Sequence, residues 1–256
     1  MKRVMLVVAY EGTNYRGWQI QNNGITIESV LNETLSQLLG ERIAVIGASR
    51  TDSGVHSLGN VAVFDTNARM PADKISYALN QRLPEDIVVQ ASMEVRPDFH
   101  PRKCRSTKTY EYRILNRRFQ VPTLRRDTYF YYYPLDVQRM EQGAGYLVGV
   151  HDFKSFCSIH TQAADTVREI YSCQVEKQGD VIVIRISGAG FLYNMVRIIA
   201  GTLIQVGSGE REPEDIPKIL AECDRAAAGP TAPAHGLTMM GIVFSEEADL
   251  APEYKG

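Results

Sequence analysis

The spacing of the apolar residues constrains this chain most, because it switches between strand-like and helix-like periods from one end to the other. Residues 4–10 form an apolar run of strand length, and residues 26–39 carry Ile27, Val30, Leu31, Leu35 and Leu38 at helical spacing until Gly40 stops them. Residues 41–46 read as a strand ending at Gly47, and residues 59–65 alternate as another. Pro71 opens a helix with Ile75, Ala78 and Leu79 on one face, and residues 87–94 return as a strand. The second half repeats this order loosely. Residues 109–116 alternate, so Tyr110, Tyr112 and Ile114 share a face, and residues 128–133 are an aromatic strand. Asp136 caps a helix running to about Val148, and residues 170–176 and 181–187 form a hairpin around Gly179-Asp180. An apolar helix is expected over 191–206, a shorter one over 212–224 and a last strand over 237–245. This order predicts an α+β fold with mostly antiparallel sheet. The polar, basic, proline-containing stretch 97–105 marks a boundary, giving domains over 1–105 and 106–247 and a polar tail over 248–256.

Composition narrows the classes. A chain of 256 residues suits one large domain or two smaller ones. No apolar run approaches the roughly 20 residues that span a bilayer. Lys2 and Arg3 precede a short apolar stretch, but Glu11 to Arg16 follow without a small-residue cleavage site, so a first strand is expected there rather than a signal peptide. The four cysteines and five histidines are scattered, with no CxxC pair, so neither a metal site nor a disulfide framework is expected, and a reducing cytoplasm is the expected location. The net charge is −2, yet residues 96–126 hold ten Lys/Arg against two Asp/Glu, while residues 210–256 hold four against ten. A nearly neutral total can therefore carry a basic face fit for phosphates. The phosphate-loop, dinucleotide, nucleophile-elbow and zinc-protease motifs are all missing, which argues against nucleotide hydrolysis, hydride transfer and metal chemistry.

Four residues stand out for chemistry. Asp52 lies in Arg50-Thr51-Asp52-Ser53-Gly54-Val55-His56, on a loop between two expected strands, where a rigid scaffold leaves an open tip. The same Asp-Ser-Gly pattern also suits a carboxylate that only shapes a turn. Arg197 sits among apolar neighbours in the 191–206 helix, so its guanidinium needs a carboxylate partner, with Asp52 and Asp65 as candidates. A purely structural ion pair would also satisfy it. Tyr110 and Tyr112 follow the densest basic cluster, 102–108, and rings beside phosphate-binding cations suit an unstacked base. Tyrosines also pack well in an ordinary half-buried strand.

Gly47-Ala-Ser-Arg-Thr-Asp-Ser-Gly-Val-His56 resembles the catalytic signature of the tRNA pseudouridine synthase A family. Tyr15-Arg-Gly-Trp-Gln-Ile-Gln21, Lys108-Thr-Tyr-Glu-Tyr112, Phe191-Leu-Tyr-Asn-Met-Val-Arg197 and Gly229-Pro-Thr-Ala-Pro-Ala-His-Gly-Leu237 resemble its other motifs, in the family's order. The sequence departs from the family pattern at Ala48-Ser49, Ser53, Ile27-Glu28 and His100-Pro101, none of which is Arg50, Thr51 or Asp52. The resemblance implies two similar α/β subdomains whose mostly antiparallel sheets join into a continuous sheet, with helices packed on one side and a central RNA-binding cleft. It implies that Asp52 is catalytic, that Tyr110 contacts the target base, that Arg197 pairs with the catalytic aspartate and that Arg50 helps displace the target nucleotide. Leu237 is placed near the wall of the site. The implied activity is isomerisation of uridine to pseudouridine at positions 38, 39 and 40 of the tRNA anticodon stem-loop, by a homodimer, without cofactor, metal, nucleotide or membrane. Two alternatives stand beside it. One is a non-catalytic RNA-binding protein, which would tolerate loss of Asp52. The other is a pseudouridine synthase acting on another RNA or another tRNA position.

Overall fold

The computed structural model describes residues 1–161 and 163–245; the tail expected at 248–256 lies outside them. The strands are β1 (Lys2–Tyr10), β2 (Ile46–Gly47), β3 (His56–Thr66), β4 (Ile87–Val95), β5 (Ser106–Asn116), β6 (Tyr129–Tyr131), β7 (Gly149–Asp152), β8 (Val167–Gln178), β9 (Val181–Gly188) and β10 (Leu237–Phe244). The α-helices are α1 (Ile27–Leu39), α2 (Ala72–Asn80), α3 (Val137–Gly145), α4 (Met195–Ser208) and α5 (Asp215–Glu222). The chain forms two units: residues 1–106 together with the chain from Met239 onward, and residues 107–238.

In the first unit the strand order is β4-β1-β3-β10, with β2 paired on β3. The central strand β1 runs antiparallel to both neighbours. It reads as an unbroken apolar run because both of its faces are covered. Val4, Leu6, Val8 and Tyr10 pack with Ile27, Leu31 and Leu35 of α1 and Ile75 and Leu79 of α2. Met5 and Val7 pack into a second cluster with Val61, Val63, Phe99 and Phe244. Helix α1 starts where a capping box forms between Thr26 and Ser29, and it ends at Gly40 in the left-handed conformation, φ 68°. Arg3 and Asp65 are cross-strand partners in the β1–β3 register, and the guanidinium meets the carboxylate through two hydrogen bonds of 2.8 and 2.7 Å. That pairing holds the Asp65 carboxyl below the usual carboxylate range.

One expected strand is corrected. Of residues 41–47, only Ile46 and Gly47 pair in the sheet, opposite Val63 and Ala62. Upstream, the backbone N–H of Ile43 donates to Ser36 Oγ (2.9 Å) and that of Val45 to Asn32 Oδ1 (2.8 Å). Polar side chains of α1 thus take the donors that a sheet ladder would have used, while Ile43 and Val45 still bury their side chains.

In the second unit the order is β5-β9-β8-β7, antiparallel throughout, while β6 pairs parallel with β5. Tyr110, Tyr112 and Ile114 lie opposite Ile186, Ile184 and Ile182 on one buried face. Asp136 caps α3 by accepting from the N–H groups of Gln138 (2.9 Å) and Arg139 (3.1 Å). Helix α4 begins at Met195 rather than at 191, because Asn194 adopts φ 61° and a left-handed residue cannot extend the helix backward. Among the described residues, no helix is long and apolar enough to cross a membrane. The α+β, mostly antiparallel reading holds.

Candidate active site

Asp52 sits half-buried on the loop between β2 and β3, and the backbone around it is fastened on both sides. On the way in, the N–H of Ala48 donates to Val61 O (2.7 Å). The fully buried Asn60 then grips Ser49, accepting from its N–H (3.3 Å) and donating to its carbonyl (3.0 Å). Next, the buried Thr51 hydroxyl lies 2.7 Å from Tyr10 Oη. Beyond Asp52, the N–H of Val55 donates to Asp52 O (3.1 Å) and closes a four-residue turn. Gly54 occupies its third position with φ 80°, a conformation that turns of this kind reserve for glycine.

The segment 12–18 forms a brace along this loop. The N–H of Trp18 donates to Thr51 O (3.1 Å), and Tyr15 O accepts from both Gly54 N–H (3.3 Å) and Ser53 Oγ (3.2 Å). The N–H of Gly12 donates to His56 Nδ1 (3.0 Å). Tyr15 is itself pinned by a hydrogen bond from its hydroxyl to Asp86, and burial together with that carboxylate pushes its phenol pKa upward. Trp18 is fully buried, and among the described residues its Nε1 has no acceptor. Gly17 is where the brace touches most closely. Its φ is 81°, and a Cβ there would lie 2.6 Å from Thr51 O and 3.0 Å from the Asp52 carbonyl carbon. Gly17→Ala is therefore expected to cost about 1–3 kcal/mol. In a thermal melt that is a fall of several degrees, at roughly 2–4 °C per kcal/mol for a chain of this size. An unchanged melting temperature would show that the brace has slack.

In the second unit, Tyr110 is buried and meets Phe191 edge-on, with ring centroids 5.1 Å apart. Tyr112 is fully buried and its hydroxyl donates to Pro233 O (2.9 Å); burial pushes its phenol pKa upward, so it stays a donor. The tyrosine face expected to offer two rings to a base thus splits, with Tyr112 serving as a strut under the 229–237 segment.

Arg197 is half-buried rather than fully buried. Within its unit it staples the 229–237 segment to α4. Its Nε donates to Ala232 O (2.8 Å), its Nη1 donates to Asn194 Oδ1 (2.8 Å), and its own carbonyl accepts from Ala232 N–H (3.1 Å). Thr202 Oγ1 adds a further tie by accepting from Gly229 N–H (2.9 Å). Of the two carboxylates considered as its partner, Asp65 is held by Arg3. Arg50 is exposed, and Leu237 is buried at the start of β10. Sequence reasoning missed Tyr10, Asn60 and Gly17 as supports of the loop. The only signal near them was the motif around Gly17-Trp18, whose partner is not written in its spacing.

Among the described residues, no three His, Cys, Asp or Glu side chains group so as to hold a metal ion. The Cys173 thiol is pushed up to about 12 by complete burial, which makes it a poor nucleophile.

Comparison with known proteins follows the same residues. The chain matches the family model described as tRNA pseudouridine synthase over residues 6–102 and 144–245. Arg50, Asp52 and Arg197 fall inside those segments, and Tyr110 falls between them. The chain is 47% identical over 244 residues to the tRNA pseudouridine synthase A of Thermoanaerobacter sp. (strain X514), a match covering 95% of this chain and 100% of that protein. Identity is 46% to the namesake protein of Brevibacillus brevis and 45% to that of Acetivibrio thermocellus, with the same coverage. Among solved structures, an H/ACA RNP bound to a substrate RNA containing 2′-deoxyuridine covers 78% of this chain and 44% of its own at 13% identity. Its TM-score of 0.35 is too low for the sites to be compared. The full-length matches and the family segments in both units show that the chain belongs to the tRNA pseudouridine synthase family.

Proposed function

We propose that the protein isomerises uridine to pseudouridine in tRNA, at positions 38, 39 and 40 of the anticodon stem-loop. The observation that carries this is the match, over nearly the whole chain, to proteins named tRNA pseudouridine synthase A. In the reaction the C1′–N1 bond breaks, the uracil turns and C5 bonds to C1′. The C5 proton leaves and N1 takes one up, so the product is an isomer and no cofactor is consumed. Asp52 acts as a carboxylate, by attacking C1′, by accepting a proton from C2′ or by attacking C6. A braced loop supports that role, because a reacting group is most effective when it is already in place. Tyr110 contacts the target base, with Phe191 fixing its ring. Arg197 supplies the counter-charge to the carboxylate, and Arg50 helps to displace the nucleotide, a step costing roughly a few kcal/mol of lost stacking. Exposed cations such as Arg105, Arg117, Arg118 and Arg125 suit phosphate contacts. A cytoplasmic homodimer is part of the same reading.

The test is tritium release from a tRNA transcript labelled at uridine C5. Release is expected when uridines stand at 38–40 and is lost when they are replaced by cytidines. Equal release from both transcripts would move the target elsewhere. No release from either would remove the isomerase.

A further inference from the structure

One cation beside the Asp52 loop has no part in the reaction described so far. Arg102 lies in the turn after β4, where His100 O accepts from the N–H groups of Lys103 (2.9 Å) and Cys104 (3.3 Å) and the N–H of Arg102 donates to His100 Nδ1 (3.2 Å). Its side chain reaches back to the catalytic loop: Nε donates to Gly47 O at 2.7 Å. Gly47 ends β2, three residues before Arg50, and Arg50 stands two residues before Asp52. The pinned Nε fixes the plane of the guanidinium. Its two terminal nitrogens make no hydrogen bond or ion pair among the described residues, and neither does the exposed guanidinium of Arg50.

The two charges feel each other. Partial burial and the Arg50 charge both push the Arg102 pKa below its ordinary value, and Glu28 offsets only part of this. Glu28 is already engaged, accepting from the N–H of Ile20 (2.8 Å). One cation anchored on Gly47 and another three residues along the same loop, both with donor edges open, match one anion with several acceptor oxygens. A phosphodiester fits, since guanidinium groups bind phosphate oxygens in a planar, bidentate fashion. A structural pin alone would explain the bond to Gly47 O, but not why the guanidinium's two other nitrogens stay open on the loop that carries Arg50.

We propose that Arg102 and Arg50 clamp one phosphodiester of the RNA backbone next to the nucleotide that reaches Asp52. The proposal rests on the tRNA reading above. Arg102 is then a positioning residue: it fixes the phosphate, and through it Arg50, without touching the reacting atoms. Binding relieves the repulsion between the two cations, so the clamp favours RNA more than either charge would alone.

The experiment compares wild type, Arg102→Gln, Arg102→Lys, Arg50→Gln and the double glutamine variant for tRNA Kd at several salt concentrations, kcat, KM and Tm. Arg102→Gln is expected to raise Kd and KM about tenfold, to leave kcat within about twofold, and to lower the slope of log K against log salt by about one. Arg102→Lys should restore the slope but not the full affinity, because the bidentate fork is lost. The double variant should lose less than the sum of the two single losses, since both arginines serve one phosphate. An unchanged salt slope in Arg102→Gln, or strictly additive losses, would overturn the clamp. So would a fall in kcat and Tm with unchanged Kd, which would reduce Arg102 to a pin on Gly47. Wild-type protein that releases no tritium and binds no tRNA would instead overturn the substrate reading, and the clamp with it.

Discussion

Asp52→Asn is expected to leave tRNA binding in place and to abolish pseudouridine formation. The substitution keeps the shape of the side chain and removes its charge. The loop keeps its other fastenings, since Asn60, Tyr10, Trp18 and Tyr15 hold it through backbone groups and the Thr51 and Ser53 hydroxyls. An amide cannot attack C1′ or C6, nor take a proton from C2′, so each version of the reaction fails at the same atom. The expected fall in kcat is about a thousandfold or more, in the range for loss of an essential base or nucleophile. Single-turnover tritium release, measured beside tRNA Kd, gives the comparison. Turnover within about tenfold of wild type at equal Kd would sink the assignment of Asp52.

The second large effect is expected at Arg197. Alanine there removes donors from Ala232 O and Asn194 Oδ1 and unfastens one side of the 229–237 segment. Tyr112 and Thr202 still hold that segment, so the unit is weakened rather than unfolded. Loss of these bonds costs roughly 1–3 kcal/mol, or several degrees in Tm at this chain length. In the proposed reaction it also removes the counter-charge of the catalytic carboxylate, and kcat should fall by about a hundredfold or more. Arg197→Lys separates the two roles. It keeps the charge but cannot reproduce the two directed bonds, so it should recover part of the rate while Tm stays low. Calorimetry and tritium release on both variants check this. An alanine variant with wild-type Tm and wild-type rate would rule out both the staple and the counter-charge.

Much of the fold was legible wherever a local pattern also decides burial. The helical spacing of Ile27, Leu31 and Leu35 matches the face that α1 buries, and Thr26 and Gly40 mark its ends as capping chemistry predicts. The shared face of Tyr110, Tyr112 and Ile114 follows from strand alternation. Legibility failed where polar groups chose distant partners. Residues 41–45 looked like a strand by composition, yet Asn32 and Ser36 of α1 claimed their backbone donors. The helix expected from 191 starts at Met195 because Asn194 takes a left-handed conformation that apolar spacing does not encode.

At the site, the sequence by itself determined which residues could react. Asp52 in its Ser-Gly loop and Arg197 in an apolar segment are visible as residue types in local context, and the motif order carries the family resemblance. Tertiary structure alone decided what holds them. It brought the 12–18 segment against Thr51 and Asp52, paired Asp65 with Arg3, tied Tyr112 to Pro233, and laid Arg102 on Gly47. The reason lies in the range of the interactions. Burial of a strand or helix face repeats with the backbone period, so neighbouring residues report it. A hydrogen bond or ion pair between residues thirty or more positions apart depends on how distant segments approach, and no local spacing records that.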